Sequence, residues 1–486
     1  MSWYITYTII YFLIMFAFGF YYYTKVKTSD NYLIANWSMG FWSITGTMIS
    51  TACGAAVFIG WVGMGFNVGI AGYFQFAFPA MIITLLLFYF FASPLRRQKL
   101  YTIADLFSER FGKQAGIIPS VLSAIIYSVP TLALQIVGMT TVFTIAFGLN
   151  DSTGMLLGFA MVLGFTILGG LPATIITDAL QSIILVVGIT TLFVSSIFYG
   201  GGIGNVLSET PAEYLTPLGN VGLSGVLLFA LSVGPFYLVW QSTWQRIFAS
   251  KDEKVAKKAG VTSVLIILLI SILPYSIGVM ARQYVPNDLN PDLIFSYVTV
   301  ELLHPAIGGI ILVGLLAALM TGATSFILQG SSNLTRDMYQ RLFDPNASEK
   351  RLMTASRLSV VIISILGLIV AFNMSDIITT YEWALRIIGA TLVIPFLAAM
   401  FWRGVTKKGV LASMVAAMIG TILHPFLNIP IEHTIFGLGL SLITLVVISL
   451  LSEHSDEEQV KALYWEVLQS NSRGEEEKNE PISKVK

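Results

Sequence analysis

The stretch AALMTGATSFILQGSSNLTRDMY places Thr321, Thr324 and Ser325 after Ala318 at spacings of three and four, on one face of a helix. Hydroxyls gathered in this way can replace the water around a hard monovalent cation such as sodium, whose site must return several oxygens at short range. Small residues and Ser/Thr also occur where apolar helices pack closely, and a hydroxyl often bonds back to its own helix. Residue type alone leaves both readings open. Asp178, just after ATIIT, offers a carboxylate that can serve a cation or satisfy the free amides of a helix N-terminus. Glu382 and Arg386, in YEWALRIIGA, stand four residues apart on one helical face and can pair. A mutual ion pair or outer-gate contact is one role for them; recognition of a carboxylate substrate by Arg386 is another.

Other chemistries find no residues to carry them. There is no phosphate-binding Gly-rich loop with Lys, no nucleophile–base constellation and no metal cluster, so the sequence gives no reason to expect an enzyme. His304, His424, His433 and His454 are scattered, which suits interfacial or surface positions. Cys53 is the only cysteine, excluding an internal disulfide and a Cys-rich metal or iron–sulfur site. Basic and acidic residues number 27 each, and nothing in that balance points to a nucleic-acid partner. No organic cofactor is expected.

The elements that must position these residues are membrane helices. Of 486 residues, 55% are hydrophobic and only 11% charged, more apolar surface than a soluble globule of ordinary design can hide. The partner implied is a lipid bilayer. Hydropathy gives thirteen spans, at about 3–24, 37–65, 68–93, 114–147, 152–174, 178–200, 222–247, 258–282, 305–333, 353–374, 377–402, 409–429 and 434–451. The first, with no basic residue before it and no small-residue cleavage site, reads as a retained span. Alternate loops carry nearly all the Lys and Arg, including Lys25, Arg96, Arg97, Arg110, Lys251, Arg336, Arg341 and Lys407; the opposite set has little beyond Arg282. Basic loops stay inside, so the expectation is a multi-pass protein of the cell (inner) membrane, N-terminus outside and C-terminus cytoplasmic. After Leu451 the chain becomes polar and acidic, and reads as a solvated tail with one short helical patch near 462–468.

Helix breakers sort the spans. Gly54 interrupts the second and Gly234-Pro235 the seventh, both near mid-membrane. These spans open two consecutive groups of five, 2–6 and 7–11, and because five is odd the second group must run upside down relative to the first. Interrupted helices at matching places in inverted halves point to a binding site at the midplane.

Several strings then resemble the sodium:solute symporter family: SDNYLIANWSMGFWSI, YTIADLFSERFG, GGLPATIITDALQSIILVVG, WQRIFASKDEKVAKKAG and AALMTGATSFILQGSSNLTRDMY, in family order from about Ser29 to Arg341. The resemblance implies an all-α integral membrane fold. In it a LeuT-type bundle of five plus five inverted helices carries one extra N-terminal and two extra C-terminal helices. The corresponding organisation is 1–36 for the first helix and loop, 37–403 for the core (repeats about 37–200 and 222–403), 404–451 for the last two helices and 452–486 for the tail.

The resemblance also implies sodium-coupled symport of a small organic solute by alternating access. One ion site would use Ser50, Cys53, Ala318 and Thr321, with Gly322 standing where the family has Ser or Thr. A second would use Asp178, Thr321, Thr324 and Ser325, all of suitable type. Solute contacts are expected beside the two breaks and on the faces opposite: Ala56, Val57, Gln75, Phe76, Gln135, Phe236, Tyr237, Trp240 and Gln241. Aromatic stripes and buried Gln also serve helix packing; the resemblance favours Phe236, Tyr237 and Gln241. Proton-coupled or uncoupled transport, which Gly322 favours, and a transport-like solute sensor are the alternatives.

Overall fold

A computed structural model describes residues 2–54, 56–286, 288–373 and 377–454; the acidic tail lies outside the described residues. Apart from one bridge pairing Met39 with Ser250, the regular structure among them is helical. Among the described residues, eleven helices are long and apolar enough to cross a membrane. Most begin and end within about five residues of the hydropathy boundaries, the usual play of helix ends. Span nine runs on, as a wider π-type helix, to Phe343.

Two expected spans take a different form. Span two is a helix at Phe41–Ala52 that ends on Cys53 (φ −106°, ψ 49°) and regains regular α-geometry at Trp61–Val68, so neither piece alone reaches across. Spans five and six form one helix of 49 residues, Asp151–Tyr199, interrupted at Gly170 (φ 57°, ψ −159°). Contacts with span one show that the chain reverses there. Gln181 Nε2 lies 3.3 Å from Met15 Sδ, while a Cβ built on Gly164 would lie 3.4 Å from Phe16. In a straight helix residues 164 and 181 would stand about 25 Å apart; here they meet adjacent residues, Met15 and Phe16. The hairpin is tight because Tyr32 donates to Thr166 O at 2.9 Å and packs against Gly170, whose backbone lies in a region essentially reserved for glycine.

Span seven is broken, but not at the place expected. Gly222–Val233 leads into a tight helical turn, Gly234–Leu238, and the chain opens only at Val239 and Trp240 (φ −68°, ψ 109°) before Gln241–Ala249. Pro235 begins the new turn, where its missing N–H costs nothing, so the opening is displaced to the turn's end.

The basic loops all converge on one face. Arg97 pairs with Glu253 at 2.6 Å, Arg110 donates to Trp402 O at 2.7 Å, and Arg96 donates to Ser250 O and to Trp37 O and Lys251 O. Met39 N–H donates to Ala249 O at 3.0 Å and Lys251 N–H to Met39 O at 2.8 Å, so the basic-side halves of the two broken helices are joined at their ends. Three of the strings that carry the family resemblance form one network here. Asp337 accepts from Thr102 at 2.9 Å and Asn333 at 3.0 Å, and Arg341 bridges Asp337 (3.1 Å) to Asp105. Arg336 pairs with Asp30 and lies 4.1 Å over the Tyr101 ring, whose hydroxyl donates to Asp30 at 2.7 Å. Burial raises the Tyr101 phenol above its ordinary value, with Arg336 opposing, so the hydroxyl keeps the proton it donates.

The hairpin yields a prediction. Gly170→Ala adds a Cβ 2.6 Å from the Tyr32 ring at φ 57°, whereas Gly202→Ala, at φ 94°, meets nothing within 4 Å. Both carry backbone strain of about 1–3 kcal/mol. Thermal unfolding in detergent should show Gly170→Ala clearly the more destabilised; equal losses would mean that the turn is not packed as described.

Candidate ion and solute site

Asp178 is not a helix cap. It lies two turns past Gly170, inside the resumed helix and fully buried. A Cβ built on Gly46 would lie 2.5 Å from Ala179 Cα, and the close approach this glycine permits brings span two against Asp178. Thr47 then donates to Asp178 Oδ2 at 2.6 Å, while Oδ1 accepts no hydrogen bond from the protein. Arg246, on the far half of span seven, reaches the same place: Nη2 is 3.7 Å from Asp178 Oδ2, 3.1 Å from Thr51 Oγ1 and 2.5 Å from Ser325 Oγ. Thr51 and Ser325 are themselves 3.3 Å apart. Spans two, six, seven and nine thus meet in one buried cluster of a carboxylate, a guanidinium and hydroxyls.

The other candidates on span nine have helical partners. Thr321 donates to Gln181 Oε1 at 2.8 Å and to Ala317 O at 2.9 Å; Thr324 bonds back to Met320 O and Thr321 O. Ala318 and Cys53 are buried, and the Ser50 carbonyl accepts the Cys53 N–H at 3.2 Å, closing the helix before the break. Gln135 explains Gly322. A Cβ on Gly322 would lie 3.0 Å from the Gln135 carboxamide, and one on Gly54 would lie 3.4 Å from it, so this side chain fills the slot between the first break and span nine.

A cavity of about 420 Å³ lies beyond the break, on the side away from the basic face, walled by Trp61, Phe76, Phe229 and Tyr381 with Asn67 and Glu382 at its polar end. Of the expected solute contacts whose side chains are described, Phe76 lines it. Phe236, Tyr237 and Trp240 pack below: Phe236 lies 4.8 Å from the Tyr127 ring and Tyr237 6.3 Å from Phe76. Gln75 and Gln135 are buried between helices. Gln241 faces the other way, accepting from the Ile103 N–H at 2.7 Å, because it opens the half-helix that packs against the basic face. The side chains of Ala56 and Val57 lie outside the described residues.

Glu382 and Arg386 do pair, at 2.8 Å. Arg386 also lies 2.7 Å from His433, whose ring stacks on Trp383 and sits 5.6 Å from His424. His424 and His433 are therefore not scattered: His433 ties the last helix to span eleven, His424 packs on His433 and Phe436, and Glu432 accepts from Ser232 of span seven at 2.8 Å.

The broken helices, the buried polar cluster and the cavity above it are the architecture of a membrane transporter. The family model described as sodium:solute symporter family matches residues 32–417, and the chain belongs to that family. Among similar proteins are the osmoregulated proline transporter OpuE of Bacillus subtilis (strain 168), 26% identical over 476 residues, covering 91% of this chain and 94% of that one, and a sodium/proline symporter of Staphylococcus aureus (strain bovine RF122 / ET3-1), 27% identical over 463 residues, 88% and 87%. A solved Na+-coupled sialic acid symporter, substrate-bound and outward-open, matches with a TM-score of 0.82 over 94% of this chain and 99% of its own at 17% identity. Mhp1, a nucleobase-cation-symport-1 family transporter in a closed conformation, matches with 0.63 over 86% and 94% at 16% identity. At these identities the structures establish the fold.

Sequence reasoning missed Thr47, Thr51 and Arg246. The rule that a charge inside an apolar span needs a reason would have singled out Arg246, but it stands at the very end of span seven, where an arginine can reach the interface.

The Gln135 slot is testable. Gly322→Ser should destabilise by about 1–3 kcal/mol through overpacking, and Gln135→Ala in the same protein should recover much of it. Additive losses in the melting midpoints would show that the two residues do not share space.

Proposed function

We propose that this protein is a sodium-coupled symporter of a small organic solute, working by alternating access across the cell membrane. The observation that carries the proposal is the convergence of Asp178, Thr47, Thr51, Thr321 and Ser325, from spans two, six and nine, beside a broken helix, with one carboxylate oxygen still unsatisfied. On this reading the 49-residue helix counts as two crossings and the broken span two as another, giving thirteen with the N-terminus outside. The basic face is then cytoplasmic and the cavity opens outward. The core is 37–403 in two inverted repeats, followed by two helices and a tail. Inward sodium movement adds about 2.3 kcal/mol per charge per 100 mV, and reciprocal linkage ties ion to solute.

The proline transporters among the relatives make proline the first solute to test. In proteoliposomes, proline uptake should require sodium, be lost when choline replaces it, and survive a proton uncoupler. Asp178→Asn should raise the half-saturating sodium concentration by at least about tenfold, or 1.4 kcal/mol. Uptake of an identified solute that is indifferent to sodium over a wide range would refute the proposal. Gly322 and the guanidinium already in the cluster favour proton-coupled or uncoupled transport as the second reading, which the uncoupler tests.

We assign Glu382 and Arg386 to an outer-gate contact, since each charge is met by protein at the cavity rim. Arg386→Lys should therefore reduce uptake by less than about tenfold. A loss beyond a hundredfold in KM, with kcat retained, would instead mean that Arg386 grips a carboxylate of the solute.

A further inference from the structure

We infer that Arg246 is a resident counter-cation: it occupies, in the absence of the coupling ion, the oxygens that the ion would take, and must withdraw before the ion can bind. The inference rests on the sodium-symporter reading and goes beyond it by naming what competes for the site.

The geometry states the competition directly. The arginine is 0% exposed and Asp178 1%, so each charge is compensated inside the protein or not at all. Arg246 Nη2 faces Asp178 Oδ2 at 3.7 Å, and is closer still to Thr51 Oγ1 and Ser325 Oγ, at 3.1 and 2.5 Å. These are a hydroxyl from each of two spans and a carboxylate from a third, the hard donor set that a desolvated alkali cation needs. One positive charge already neutralises the carboxylate. A second cation at the unsatisfied Oδ1, with the guanidinium still in place, would leave a buried net positive charge a few ångströms from a like one, which low dielectric makes prohibitive. The two cations therefore exchange. Arg246 has few other ties to hold it, because Nη1 donates a 3.3 Å bond to Ser242 O of its own half-helix and the Nε–H donates to no group of the protein.

The position of the arginine gives the exchange a direction. It sits on Gln241–Ala249, the half-helix whose first residue holds the Ile103 N–H and whose last residue is joined to Met39. Displacing the guanidinium removes the bonds that hold this half-helix to Thr51 and Ser325, so occupancy of the ion site is communicated to the element that helps close the basic face.

Competition makes a prediction opposite to structural damage. Sodium chloride is titrated against choline chloride at constant ionic strength, with no solute present, and the melting midpoint of the purified full-length protein in nanodiscs is followed. Arg246→Gln should lower the half-saturating sodium concentration by at least about tenfold relative to the wild type. In the Arg246→Gln protein, adding Asp178→Asn should abolish the response. If Arg246→Gln does not fold because it strands the carboxylate, Arg246→Lys is read instead. It keeps the charge but lacks the fork that reaches both hydroxyls, and should lower the midpoint at least about threefold. An unchanged or raised midpoint in whichever variant folds overturns the inference. A wild type blind to sodium beside a responsive variant upholds the resident cation and refutes sodium coupling; if both are blind, both proposals fall.

Discussion

A carboxylate and a guanidinium buried together in the middle of an apolar bundle constrain nearly everything around them. Neither Asp178 nor Arg246 reaches solvent, and removing one partner from such a pair typically costs about 3–5 kcal/mol. The pair survives only because four helices deliver polar groups to one point. Span six supplies the acid, which needs the reversal at Gly170 to face inward. Span two supplies Thr47 and Thr51, which need the close approach at Gly46. Span nine supplies Ser325. Span seven supplies the base, and the opening of the chain at Val239 and Trp240 frees its last half-helix to point the guanidinium there.

Around this centre the two ends of the bundle are unlike. One end is sealed by ion pairs: Arg336 with Asp30, Arg341 with Asp105 and Asp337, Arg97 with Glu253. The other holds an aromatic-walled cavity. Polar seals of this kind suit a surface that must open, because their groups can exchange protein partners for water at small net change in free energy. Phe236, Tyr237 and Trp240 form an aromatic layer packed against Tyr127 and against Phe76 of the cavity wall.

Much of this was legible in the residues. Most of the helices, the break in span two and the shared side of the basic loops follow from hydropathy, helix breakers and charge, because lipid punishes every unsatisfied backbone group and leaves few alternatives. The hydroxyls of span nine and Asp178 were singled out by type. What escaped was set by tertiary packing. Nothing local tells that Gln241 turns from the cavity to a neighbouring helix end, or that Gln135 stands where Gly322 has no side chain. Pro235 looked like the break because proline usually is one, but it opened a new turn instead. Arg246 is the first basic residue after Lys113, a gap of several spans, yet its nearness to a loop concealed that it turns inward.

The same gap bears on how the chain is made. Spans five and six are joined at Gly170 by almost no loop, and from Lys113 to Arg246 there is no lysine or arginine to tell the insertion machinery which end stays behind. The hairpin cannot orient itself. Its direction rests on the helices packed against it, and Tyr32 and span one, which clasp it, precede it in the chain. In the folded protein the first helix and Tyr32 thus hold in place a segment that carries no address of its own.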